Sequence, residues 1–305
     1  MKRVLVLLLV ITVLSAGVAE LCGAQRVDGS ENTVTVVASF YPVYTAALQV
    51  AQGSNGVSVH CLTPPSSGCL HDHQLSPAER VTLQKAELLL LNGGGAEEFL
   101  EPLLPQIAAT VVNTSANALP EEDCEEHEHH EHEHAHNEHI WMAPALYTEQ
   151  VRAICEALCI ADKANEALYR QNTARYVGEI AEISQEFQTV AEGLPLDTAL
   201  LFHDSVRYVA EALGLTVAGE LPLGEEAGFS AAQVAEVAES VRDKRVLFLY
   251  DEQYPVQMTQ LMKYTARSAA VSLNCAVSPA AAVADSELWL WAMRQNIERL
   301  KEVAV

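Results

Sequence analysis

Residues 198–218 read TALLFHDSVRYVAEALGLTVA. A short apolar run at 198–202 gives way at His203-Asp204 to a helix-period pattern, and a second apolar run follows at 215–218. Apolar runs of this length, bounded by turn formers, suit strands buried on both faces. A helix between two of them is the signature of a βαβ unit in a parallel sheet. Asp204 is a natural N-cap for the intervening helix.

The same alternation extends outward in both directions. Further strands are expected at 246–250 (VLFLY) and 271–273 (VSL), with helices starting near 230, 255 and 284. The first half repeats the theme with strands at 34–39 (VTVVAS), 57–61 (VSVHC), 87–91 (ELLLL) and 110–113 (TVVN). The expected fold is therefore α/β, with two similar four-stranded parallel-sheet domains at 33–143 and 197–305. Linking helices fill 144–193. Asp162 is a cap for the second of these, which runs to Glu192 before Gly193 and Pro195 stop it. Tyr169, Tyr176, Ile183 and Val190 recur every seven residues, and Ile180 and Phe187 are also seven apart. This stripe fits a coiled coil or one long helix packed along both domains. It covers few heptads, which favours the long, rigid backbone helix.

Composition narrows the class. The chain has 305 residues, 18 Lys+Arg against 41 Asp+Glu, and a formal charge of -23, which argues against a nucleic-acid partner. Half of its residues are hydrophobic, enough for a core in each domain and too many for a disordered chain. Lys2, Arg3 and the apolar stretch Val4 to Leu14 read as an export signal within residues 1–22, with cleavage after Ala19. The mature chain is thus expected outside the cytoplasm. Cys22 stands where bacterial lipoproteins carry an acylated cysteine, although Glu20 and Leu21 replace the usual small residues. A lipid anchor and plain secretion are the two alternatives. The other cysteines are Cys61, Cys69, Cys124, Cys155, Cys159 and Cys275, and spacing alone does not give their pairing. Cys155 and Cys159, i,i+4 on a helix, read as small buried hydrophobes.

Residues 121–139, EEDCEEHEHHEHEHAHNEH, carry nine acids and seven histidines without apolar periodicity, so a solvated loop is expected there. Its His127, His129, His130, His132, His134, His136 and His139 favour zinc, copper or nickel over calcium or magnesium. Outside this tract the histidines are His60, His71, His73 and His203. His71 precedes Ser76-Pro77-Ala78-Glu79, a capping box with proline at the first helical position. His203 directly follows a strand, and His139 ends the loop after strand 110–113. All three map to strand carboxyl ends, where open α/β sheets bind their ligands. With the domains face to face, His71, His139 and His203 converge on one ion in the interdomain crevice, leaving a fourth position as zinc geometry allows. His60 reads as structural, and His73 as a neighbour of the site or an exposed residue. Gly93-Gly94-Gly95 lacks both GxGxxG spacing and a Walker lysine, so it reads as a tight turn. Neither GxSxG nor HExxH occurs.

The segments CLHDHQLSPAE, NGGGAEEFL, HIWMAP, LFHDSVRYVAEALGL and DEQYP resemble the zinc/manganese solute-binding lipoproteins of ABC transporters, the cluster A-I family with its zinc-uptake and adhesin-type members. The resemblance runs from about Val34 to Lys301 and implies two α/β domains joined by a rigid helix, with a metal between them. On that match His71, His139 and His203 are the ligands, and a histidine at the third place resembles the zinc type rather than the manganese type. Leu273-Asn274-Cys275 departs from the family's Leu-Asp-Pro, so an anionic fourth ligand is missing there and water, Asn274 or a loop histidine would replace it. The implied function is capture of Zn(2+) as transported ligand, with Mn(2+) secondary, and delivery to a membrane permease by a monomer. Two other classes remain in view. One is a secreted zinc buffer or adhesin, in which the loop is the working part. The other is a zinc hydrolase with Asp204 or Asp251 as general base.

Overall fold

The computed structural model describes residues 33–64, 70, 73–119, 137–221, 231–254, 258–281 and 283–304. The expected signal 1–22, Cys22, Cys69, Cys124, His71 and the loop residues from His127 to His136 lie outside the described residues.

The first half holds β1 (Val34–Ala38), β2 (Val57–Cys61), β3 (Leu88–Leu91) and β4 (Thr110–Asn113), with helices α1 (Tyr41–Ala51) and α2 (Pro77–Gln84). The second holds β5 (Thr198–Leu201), β6 (Thr216–Glu220), β7 (Arg245–Asp251) and β8 (Arg267–Leu273). Both sheets are wholly parallel, and their strand orders match: β2-β1-β3-β4 and β6-β5-β7-β8. The expected α/β architecture of two similar four-stranded parallel sheets is thus present.

Strand alternation divides each sheet between two cores. In the first sheet, Val36, Ala38, Leu88 and Leu90 face a central cluster shared with the second sheet's Ala199, Leu201, Leu247 and Leu249. Their neighbours Val37, Leu89 and Leu91 face an outer cluster, and Leu200, Phe202, Val246 and Phe248 do the same on the far side. β8 begins four residues earlier than the expected 271–273. It is an edge strand whose first four residues are partly exposed, so an apolar-run search sees only its buried end.

Between the sheets run α3 (Pro144–Ala161) and α4 (Glu166–Gly193). At 28 residues α4 is about 42 Å long, and Tyr169, Tyr176, Ile180, Ile183, Phe187 and Val190 are all buried in the central cluster. The stripe therefore belongs to one long helix packed against both halves. Asp162 does not cap it. That residue heads the 3-10 turn Lys163–Asn165, and its carboxylate accepts from Asn165 Nδ2 and Tyr169 Oη, both at 2.6 Å. The remaining helices are α5 (Arg207–Ala212), α6 (Ala231–Ser240), α7 (Thr259–Met262) and α8 (Leu288–Lys301). The expected helix from 255 is only the short α7, and the one from 284 is α8 behind a 3-10 turn at Asp285–Glu287. Gln49 of α1 donates to the Ser286 carbonyl at 2.8 Å, which ties the C-terminal segment to the first half. Among the described residues no helix is long and apolar enough to cross a membrane.

Candidate metal centre

The carboxyl edge of the first sheet is held by a buried polar network. Glu97 accepts from Ser39 Oγ at 2.5 Å and from the backbone N–H groups of Asn92 and Gly93 at 2.6 and 3.0 Å. These amides would have suited a phosphate, and the chain satisfies them with its own carboxylate. Burial pushes the Glu97 carboxyl up to about 7, against the opposing pull of those three donors. Gly93, Gly94 and Gly95 form the expected tight turn, all with positive φ, and a Cβ at Gly93 would meet Asn113 Oδ1 at 1.9 Å. Asn92 Nδ2 donates to the Glu138 carbonyl at 2.9 Å, so this network also pins the chain just ahead of His139.

His139 is 1% exposed and leads into the buried 3-10 turn Ile140–Met142, after which Pro144 opens α3 at its first position. Trp141 locks this segment across the halves. Its Nε1–H donates to the Cys275 carbonyl at 2.7 Å, and its own carbonyl accepts from Trp289 Nε1 at 2.8 Å. His139 Nδ1 lies 2.9 Å from Asn137 Oδ1.

In the second half, His203 follows β5, as expected. The expected cap Asp204 is replaced by His203 itself, whose Nδ1 accepts the Ser205 N–H at 3.1 Å and heads the 3-10 turn Asp204–Val206 ahead of α5. Asp204, one position inside the turn, is left to point its carboxylate at the crevice. Its Oδ1 lies 2.9 Å from His203 Nδ1 and its Oδ2 3.5 Å from His139 Nδ1. The two imidazole rings meet edge to face with centroids 5.4 Å apart, and His203 stacks on Tyr254 at 5.3 Å.

Among the described residues, His139, His203 and Asp204 form a cluster that could hold an ion, with one ligand atom each, all within 4.8 Å of one another. Tetrahedral zinc, with bonds of about 2.0–2.2 Å, sets its donors roughly 3.3 Å apart, so a modest contraction would close the shell. The structure thus brings His139 and His203 together from the two sheets. His60 stands on the exposed side of β2 and shares a 2.9 Å contact with Ser58 Oγ, away from this cluster. His73 is not exposed: its Nε2 lies 2.8 Å from Glu79 Oε1, and Glu79 in turn completes the expected capping box with Ser76. Cys155 and Cys159 are buried free thiols, as expected.

Sequence reading missed one partner of the site, Asn137, and named two others, Asp204 and Asp251, beside the metal only as candidate general bases. Asn137 was one residue in a charged tract. Asp204 was read as a cap and as a possible base, not as part of a cluster with His139. Asp251, 1% exposed at the carboxyl end of β7, has its carboxyl raised by burial, while the neighbouring Gln253 amide, Cys275 thiol and His203 lower it. An acid closing the apolar run RVLFLYD was the available signal. Asn274 is engaged within its own turn: Oδ1 accepts the Ala276 N–H at 2.8 Å and Nδ2 donates to Glu252 Oε1 at 2.5 Å.

The chain is similar to known proteins over most of its length. A family model described as zinc-uptake complex component A, periplasmic, matches residues 36–303. The high-affinity zinc uptake system protein ZnuA of Bacillus subtilis (strain 168) is 29% identical over 245 residues, 76% of each chain. The zinc-binding lipoprotein AdcA of Streptococcus pneumoniae (strain ATCC BAA-255 / R6) is 25% identical over 301 residues, 92% of this chain but 57% of AdcA, so the chain spans little more than half of that relative. The Zn(II)-bound ZnuA-like domain of Streptococcus pneumoniae AdcA shares the fold, with a TM-score of 0.68 at 20% identity over 89% of this chain and 99% of that domain. Because the family match extends from β1 to the end of α8, the chain belongs to the family of periplasmic A components of zinc-uptake complexes.

Proposed function

We propose that this chain is the extracytoplasmic zinc-capturing component of an ABC transporter, holding one zinc ion between His71, His139 and His203 and passing it to a membrane permease without chemical turnover. The observation that carries this reading is the meeting of His139 and His203, from loops of two different sheets, beside one carboxylate. Each half supplies part of the shell, so an ion binds by bridging them. His71, ahead of Ser76 in the sequence, is the third expected ligand. Imidazole nitrogens select zinc over harder cations, and manganese takes second place. Water or a histidine from the 121–136 tract fills a remaining position, since the Asn274 amide is engaged in its turn. His127, His129, His130, His132, His134 and His136 act as an auxiliary collector, their carboxylate neighbours raising the local cation concentration. The chain works as a monomer of two domains, 33–143 and 197–305, with 144–193 linking them, and Cys22 is the point of lipid attachment where the signal is processed there.

Zinc titration of three forms tests the reading: the full chain, the chain without residues 121–136, and His71→Ala. One tight site in the first two and none in the third is the expected result. Tight binding confined to the deleted tract would replace transport with buffering. Full retention of the tight site in His71→Ala would remove that residue from the shell.

A further inference from the structure

We propose that Asn137 is a positioning residue of the zinc site. It fixes His139 in the tautomer protonated on Nδ1, so that Nε2 carries the lone pair for the ion, and it ties the His139 loop to the His203 loop. The inference rests on His139 being a ligand, as proposed above.

The amide orientation is set by two backbone groups whose roles cannot change. One end of the Asn137 amide lies 2.9 Å from the His139 backbone N–H, which only donates, so that end is the oxygen. The other end lies 2.8 Å from the Asp204 carbonyl, which only accepts, so that end is the nitrogen. A flipped amide would oppose like groups at both contacts. The same Oδ1 lies 2.9 Å from His139 Nδ1, and an amide oxygen brings no hydrogen to that contact. The hydrogen therefore sits on Nδ1, and in the neutral ring the Nε2 lone pair is the one available for a metal. Ligating histidines generally hold their second ring nitrogen in this way, through an outer acceptor that sets tautomer and ring direction.

Asn137 is itself anchored. Tyr208 Oη donates to its carbonyl at 2.8 Å, and Asn92 Nδ2 donates to the next carbonyl, that of Glu138, at 2.9 Å. Through Nδ2 it grips the backbone of Asp204, the residue after His203, so one side chain reaches both loops that supply ligands. Residues 121–139 carry nine acids and a single asparagine. A carboxylate at 137, like those of its neighbours, would keep the acceptor for His139 and offer no donor to Asp204.

The test is made on the protein with 15N-labelled histidine. Two-bond proton–nitrogen correlations of the His139 ring in the metal-free chain report its tautomer directly, and zinc titration reports affinity. Wild type shows the Nδ1–H pattern. Asn137→Ala, with its melting transition checked, loses that pattern and binds zinc about 10–100-fold more weakly, the range typical of an outer partner. Asn137→Asp keeps the pattern, because it keeps the acceptor, and binds more tightly than Asn137→Ala. The proposal is overturned if His139 stays Nδ1–H in Asn137→Ala, if the pattern is lost in Asn137→Asp, or if zinc affinity does not change in Asn137→Ala. The tautomer readout needs no zinc, so it stands apart from the ligand assignment. Tight binding surviving in His139→Ala would instead remove His139 from the site.

Discussion

The two halves share one strand order yet present their histidines differently. His139 belongs to the first half, is 1% exposed, and is reached only after β4 and the long acidic tract. His203 follows β5, the first strand of the second half, with only Phe202 between them, and its side chain is 17% exposed. In the first half the equivalent place after β1 is Phe40, an apolar residue that packs edge to face on the Trp141 ring instead. Around His139 side chains hold the preceding backbone, Asn137 Oδ1 on the His139 N–H and Asn92 Nδ2 on the Glu138 carbonyl, while the His139 carbonyl accepts the Met142 N–H. Around His203, Nδ1 faces both the Ser205 N–H and the Asp204 carboxylate, contacts that ask for opposite protonation of one nitrogen. A shared sheet topology thus supplies the edge, while loop chemistry holds one histidine rigidly and leaves the other adjustable. On the proposed reading, in which the two histidines hold and release an ion, that asymmetry has a use.

The largest expected effect tests whether both halves are needed. His139→Ala and His203→Ala should each weaken zinc binding by more than the roughly 10–100-fold expected of an outer partner, with the fold retained. Calorimetric titration measures this, and near-normal affinity in either variant would confine the site to one half.

Next comes the rigid edge itself. Glu97→Gln puts an amide nitrogen where one of two buried backbone N–H groups needs an acceptor, so it should cost about 1–3 kcal/mol of stability. A carboxyl raised to about 7 binds more protons folded than unfolded. Its contribution is complete below its unfolded value near pH 4.3 and is lost as pH rises through about 7. The stability gap between Glu97→Gln and wild type should therefore narrow between pH 4.5 and 7. Denaturant melts at several pH values decide it. A constant gap would show that the carboxyl keeps an ordinary pKa.

A smaller loss is expected from Trp141→Phe, which removes the hydrogen bond to the Cys275 carbonyl across the halves and should cost about 1–2 kcal/mol. If chemical denaturation then shows two transitions in place of one, the halves owe their cooperativity to that bond. The smallest effect on the tight site should follow deletion of residues 121–136, which spares Asn137 and His139. Total zinc capacity should drop while the single tight site persists, as equilibrium dialysis would show. Loss of the tight site in a folded protein would place a loop histidine in its shell.

Much of this was legible in the chain because it is encoded over short distances. Strand runs, the Ser76–Glu79 capping box, the heptad-spaced face of α4 and the positions of His139 and His203 after strands all follow from periodicity and caps. Those signals act within a few residues, so the sequence by itself determined the two parallel sheets, the long helix and the edge on which the histidines lie. Local chemistry also misled it where two residues competed for one role: His203, not Asp204, caps its turn, and only the packed loop reveals which oxygen or nitrogen reaches the Ser205 amide. The rest required the tertiary structure. Asn137 meets Asp204 across 67 positions, and Trp141 meets Cys275 across 134. No periodicity carries such a pairing, because it exists only once burial of the α4 face and the shared central core has fixed one sheet against the other.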